Sequence, residues 1–250
     1  MPSGLEPNPL AGVLELPGVA TAVAEARDAV DRLLAHRVLR RGSAAVSAES
    51  ALRGARASAA LEGDDQDLAA VRSGSGGPAV RGALRASAEL GSMVDTWSRA
   101  PGQVLARLHV LAARELAPAE QLGRPVANPE TGRRLAALAG LVTSDVAGPA
   151  LVLAAVVHGE LLTLAPFGTG DGIVARAASR LCLISRGLDP NAVSVPEVGH
   201  VELAEAYLAS AAAYRSGEPD AVAAWLRHCS AAVALGAREG VAICESIGRS

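Results

Sequence analysis

Residues 161 to 181, LLTLAPFGTGDGIVARAASRL, hold the residue types that a phosphate-binding turn needs. Phe167 precedes glycines at Gly168, Gly170 and Gly172, and the following segment carries Arg176 and Arg180. A helix N-terminus exposes unpaired N–H groups and a partial positive charge, and glycines ahead of it let the backbone approach an anion closely. Arg176 and Arg180 are four residues apart and so share one helix face, with Arg176 within reach of a phosphate at the helix mouth. The stretch has no Lys and no His, and its one carboxylate is Asp171. Asp171 suits a helix N-cap, where it would take up free N–H groups. Alternatively it would hold Mg²⁺ against phosphate oxygens, since that ion favours hard oxygen ligands. The cap is the first reading. The same glycines would also serve a tight turn that binds nothing. A dinucleotide fingerprint needs a strand before the loop, whereas the segment here reads as helix, which argues against a hydride-transferring dehydrogenase.

The elements that must position this loop are helical by composition. Of 250 residues, 50% are hydrophobic and only 2% aromatic, so the core is built from Ala, Val and Leu, and Ala and Leu favour helix. All 23 basic residues are arginine, which excludes a Schiff-base lysine, a Walker lysine and an SxxK nucleophile. A formal net charge of −3 gives no footprint for nucleic acid or for an anionic membrane. Cys182, Cys229 and Cys244 form no CxxC and read as buried reduced thiols. The N-terminal MPSGLEPNPLAG lacks the pattern of a signal peptide, and the apolar run 150–157 is broken by His158, Gly159 and Glu160 before it could span a bilayer. These features lead us to expect a soluble, cytoplasmic protein.

Along the chain, Pro17 opens a helical stretch expected to stop at Gly42, and a second, 47–63, ends at Gly63. The run RSGSGGP, Arg72 to Pro78, is a flexible break that separates an N-terminal extension (1–73) from a main body (78–250). Apolar residues then recur at helical spacing except in QLGRPVANPETGRR, where a short β-hairpin is expected. A helix runs to about Leu164, the glycine loop follows, the next helix stops at Gly187, and two more helices close the chain. His158 lies on the loop's side of its helix but about 10 Å back along the axis from Ala165, too far for direct proton transfer. It reads as structural. His158 and Glu160 form an HxE, but no PCxxC follows. His36, His109, His200 and His228 show no metal-ligand spacing.

The loop resembles the signature of the Fic (Fido) family, HxFx(D/E)GNGRxxR, through Phe167, Gly170, Gly172 and Arg176. Upstream, ASAALEG is similar to that family's inhibitory helix motif, (S/T)xxxE(G/N), with Ser58, Glu62 and Gly63 in place. Downstream, residues 207–236 look like its closing helices, with Trp225 at their usual Trp. The resemblance covers roughly residues 47 to 245. It implies a mainly α Fic-type helical bundle, with room for one short hairpin flap. In such proteins the motif His deprotonates a target hydroxyl, which attacks the α-phosphate of ATP and takes up AMP. The acidic residue holds Mg²⁺, the arginines bind the phosphate tail, and the inhibitory Glu pairs with the last Arg.

Carried over, Ala165 stands at the base, Thr169 at the metal carboxylate, Ile173 at the first Arg and Asp171 at the Asn. The resemblance therefore implies no confident catalytic residue and no confident metal ligand beyond Asp171. It leaves a nucleotide- or phosphate-binding loop of Phe167, Gly168, Gly170, Asp171, Gly172 and Arg176, gated by a bidentate Glu62–Arg176 contact. Three functions stay open: a non-catalytic sensor of ATP or another nucleotide with Mg²⁺, an adenylyltransferase with rearranged chemistry, and a helical scaffold without ligand. A protein partner or target would complete the first two.

Overall fold

Eleven α-helices follow one another in the computed structural model, which describes residues 10–144 and 148–249. They are α1 (Val19–Leu34), α2 (Leu39–Ala60), α3 (Leu68–Arg72), α4 (Pro78–Trp97), α5 (Pro101–Ala113), α6 (Pro129–Thr143), α7 (Ala150–Leu164), α8 (Asp171–Ser185), α9 (Pro196–Glu202), α10 (Ala204–Tyr214) and α11 (Pro219–Arg249). The described residues contain no β-strand.

The first helix does not run to Gly42. It ends at Leu34, and Gly42 lies inside α2. The turn between them is held by His36, whose Nδ1 accepts the N–H of Val38 at 3.3 Å. A local side-chain acceptor of this kind competes with the helix ladder. Consequently α2 spans Leu39–Ala60, and Glu62 and Gly63 sit in the turn that follows it, not inside a helix 47–63. The hairpin also does not form. Pro118 and Pro125 lack N–H donors, Ala119–Gln121 makes a single 3-10 turn, and Asn128 caps α6 by accepting from Glu130 N at 2.8 Å. The N–H of Val126 finds its acceptor across the site, on the Pro166 carbonyl at 2.8 Å.

Helices α7 and α8 pack together, and α8 also packs on α4 and α5. Helix α1 lies along α11, while α2 is wedged among α4, α9 and α11. Leu33 of α1, Ala55 of α2 and residues of the later helices join one hydrophobic core. With so few aromatics, small residues bring backbones together. A Cβ on Gly236 would lie 2.4 Å from the Val195 carbonyl carbon, so glycine alone admits this approach of α11 to the start of α9. Both tryptophans are buried, and Trp225 Nε1 donates to Ala155 O of α7 at 2.7 Å. Helix α7 is apolar on every side and lies inside the bundle, which accounts for the run 150–157. No helix among the described residues is long and apolar enough to cross a membrane. Cys182, Cys229 and Cys244 are free and buried.

Candidate anion site at the mouth of α8

The loop between α7 and α8 reverses the chain through left-handed conformations at Ala165 (φ 44°), Gly168 (φ 77°) and Gly170 (φ 69°). Ala165 has a Cβ, so this conformation stores strain of order 1 kcal/mol that the surrounding packing must hold. That packing comes from α5 and the segment after it. Phe167 stacks on His109, with ring centroids 4.2 Å apart and 8° between planes. His109 Nδ1 accepts the N–H of Gly123 at 2.9 Å, so the ring proton sits on Nε2, facing the Thr169 carbonyl without a well-formed hydrogen bond. Burial keeps this imidazole neutral by lowering its pKa.

Asp171 does not cap α8, contrary to the first reading of the sequence. Gly170 occupies the N-cap with no side-chain bond, and Asp171 is the first helical residue. From there its carboxylate cannot fold under its own helix. It reaches back, and Oδ1 accepts the N–H of Phe167 at 2.9 Å. Burial pushes this carboxyl up to about 6, against the loop N–H groups of Phe167 and Gly168 that favour its charge, and the Glu62 carboxylate adds to the rise. The N–H groups of Asp171, Gly172 and Ile173 therefore find no acceptor among the described residues, the arrangement that favours an anion at a helix N-terminus.

Glu62 covers that mouth. Gly172 permits this: a Cβ there would lie 2.1 Å from Glu62 Oε1. Arg176, only 3% exposed, spreads its guanidinium over four acceptors. Nε donates to Ser58 Oγ at 2.9 Å, Nη2 to Ser58 O at 2.9 Å and to Glu62 Oε1 at 2.7 Å, and Nη1 to Tyr207 OH at 3.2 Å. The expected bidentate pair is thus a single charge-assisted bond, because Ser58 and Tyr207 take the other edges of the fork. Burial works against the Arg176 charge, but Tyr207 and Glu62 outweigh it and hold the pKa above the ordinary arginine value. Gly63, at φ 86°, turns the chain immediately after Glu62. Arg180, one turn further on, donates to Ala192 O and Ser194 O and pairs with buried Glu197 at 3.4 Å, away from the mouth.

Behind Arg176 lies a polar cluster that the sequence does not reveal. Tyr207 OH accepts from Arg176 Nη1 and lies 3.0 Å from His158 Nε2, within hydrogen-bond distance. His200 Nδ1 and His228 Nε2 are 3.0 Å apart, and the His158 and His200 rings meet edge to face at 4.9 Å. Histidines scattered in sequence thus converge around Tyr207 and Trp225. Burial lowers all three, His228 to about 4. They are neutral packing groups. No group of three or more His, Cys, Asp or Glu among the described residues is arranged to hold a metal. A metal at the mouth would have Asp171 and Glu62 as its carboxylates, and these are already engaged with Phe167 N–H and Arg176.

The site is therefore a glycine-rich loop at a helix N-terminus, with unpaired backbone N–H groups, against which a carboxylate from the turn after α2 packs. Solved structures share the fold. A Fic family protein from Desulfovibrio desulfuricans G20 superposes with a TM-score of 0.74 at 20% identity, over 90% of this chain and 74% of that one. Fic-1 from C. elegans gives 0.71 at 16% identity, over 91% and 73%, and a glutamate-to-glycine variant of it gives 0.69 at 18%, over 94% and 74%. No model of a protein family matches the sequence, and comparison with curated proteins gave no match. The chain has the fold of Fic-family proteins; what its site does must be argued from its own residues.

Proposed function

We propose that the protein senses a nucleotide or phosphate at the mouth of α8, gated by the Glu62–Arg176 contact, and that it transfers no AMP. One observation carries this reading. The Glu62 carboxylate lies against Gly172, over three unpaired N–H groups, while its partner Arg176 is a buried guanidinium. An anion entering the mouth would meet those N–H groups and take over the Arg176 bond that Glu62 now makes. The end of α2 is then the two-state element. Docked, it plugs the site; displaced by ligand, it offers a protein partner a changed surface.

Transfer chemistry lacks its parts. Ala165 has no proton acceptor where the family pattern places the general base, and such a loss costs about 10²- to 10⁴-fold in rate. Thr169 and Ile173 lack the metal carboxylate and the first arginine of that pattern, and charge stabilisation dominates phosphoryl chemistry. His158 is 1% exposed and bound to Tyr207, so it offers no substitute base.

A second reading, adenylyl transfer with rearranged residues, is favoured by Asp171 alone, whose carboxyl at about 6 lies closer to the range useful for proton transfer. One experiment separates the readings: incubation with α-labelled ATP and Mg²⁺, scored for melting temperature and for covalent label. A sensor gains stability with nucleotide and takes no label, in wild type or Glu62→Gly. Label in Glu62→Gly that disappears on adding Asp171→Asn supports transfer. Neither signal in either protein contradicts both readings and leaves a helical scaffold.

A further inference from the structure

On the other side of α5 from the loop, α4 and α5 enclose a concavity of about 480 Å³. Arg85, Arg107 and Arg114 line it, over an apolar floor of Val110, Leu111 and Leu122. The charges around it do not balance. Glu115 is shared by Arg81 and Arg85, each at 2.6 Å. Glu89 meets Arg107 only at 3.3 and 3.5 Å, longer than a good charge-assisted bond. The Arg114 side chain has no acceptor among the described residues, so three guanidiniums and the one carboxylate of Glu89 line the concavity, with Glu115 pairing Arg85 from outside it.

Arg85 is held in place at the edge of the concavity. Its Nε donates to Leu111 O at 2.9 Å and its Nη1 to Glu115, yet Nη2 is buried with no acceptor. Arg85 is thus fixed by its Nε and Nη1 bonds and forms one wall of the concavity, leaving Arg107 and Arg114 as the groups free to meet a ligand. The volume is that of a small-molecule site, and the combination of apolar floor and convergent donors is what such sites use for orientation.

We propose that this concavity binds a small organic anion. Its phosphate or carboxylate head would sit between Arg107 and Arg114. Its apolar body would lie on Val110, Leu111 and Leu122. The site is separate from the loop mouth and does not depend on the gate. Successive residues of α5 serve the two, His109 stacking on Phe167 while Val110, Leu111 and Arg114 line the cavity.

The test is an NMR titration of the full chain with phenyl phosphate, benzoate and inorganic phosphate, following the methyls of Val110, Leu111 and Leu122 and the amides of Gly168 to Ile173. Phenyl phosphate or benzoate should shift the three methyls and bind more tightly than inorganic phosphate, and the tighter of the two identifies the head group. Arg107→Ala and Arg114→Ala should each weaken that binding about tenfold, the loss of one hydrogen bond to a charged group. Both side chains are exposed, so the variants should fold, which a melting curve checks; Arg133→Ala, whose side chain pairs with Glu130 on α6, should change nothing. Shifts confined to Gly168–Ile173, equal affinity in the arginine variants, or inorganic phosphate binding as tightly as the organic anions would each overturn the proposal.

Discussion

Replacing Glu62 by Gln keeps the shape of the plug and removes its charge, which isolates what that charge does for buried Arg176. In wild type the two groups meet at 2.7 Å, with the side chains 29% and 2% exposed. At an effective dielectric of about 20 a contact of this kind is worth at most about 4 kcal/mol. Two features reduce that. Glu62 is partly in water, which screens it, and Arg176 keeps Ser58 Oγ, Ser58 O and Tyr207 OH as acceptors. The expected loss is about 2 kcal/mol, between that of an exposed pair and the ~3–5 kcal/mol of a broken fully buried one. For a chain of this size that lowers the melting temperature by about 4–8 °C. The variant also leaves an unneutralised guanidinium beside the unpaired N–H groups of the helix mouth, behind a neutral side chain that an anion displaces more readily, so inorganic phosphate should restore stability to it and do little for wild type. Scanning calorimetry of both proteins, with and without phosphate at constant ionic strength, reads this directly. An unchanged melting temperature, or a loss that phosphate does not reverse in part, would refute the assignment of Glu62 as the anion that Arg176 needs.

Two further substitutions probe the same mouth. Asp171 is held at about 6 against an ordinary 3.8, so the native protein keeps a proton that the unfolded chain releases between these values, and stability falls as pH rises through that window. Asp171→Asn keeps an acceptor for Phe167 N–H and removes a charge facing Glu62. Its melting temperature should exceed wild type above pH 6 by the equivalent of up to about 3 kcal/mol, less where solvent screens the partly exposed carboxyl, and converge with it below the ordinary Asp value; parallel curves would contradict this. Gly172→Ala puts a Cβ 2.1 Å from Glu62 Oε1 and 3.1 Å from Arg176 Nη1 and should eject the plug. Its cost should resemble that of Glu62→Gln, and the double variant should lose little more than either alone; additive losses would place Gly172 and Glu62 in separate interactions.

The parts of this site that the sequence discloses are those written in local spacing. Glycines before a helix, arginines four apart and the SxxxEG turn each lie within a dozen residues, and the resemblance joins the two segments across 114 positions. What escapes is set by tertiary packing. Tyr207 takes one edge of Arg176 from 31 residues away, and it joins His158 across 49. Periodicity shows that a side chain faces inward without showing what it meets. His109 sits in an apolar helical run, where nothing local distinguishes a loop-stacking ring from an ordinary buried one. Asp171 was misassigned for a geometric reason: N-cap preference is a statistical trend, and one residue of displacement turns its carboxylate from the helix toward the loop. The early end of α1 depends on His36, whose side chain competes with the backbone at a place where the apolar pattern continues.

Calorimetric titration of wild type and Glu62→Gly with ATP and Mg²⁺ asks whether Glu62 stands where an anionic ligand would bind. Removing the plug should tighten binding at least tenfold, the equivalent of about 1.4 kcal/mol. Equal affinities for the two proteins, or no heat from either at millimolar nucleotide, would contradict the gate for this nucleotide.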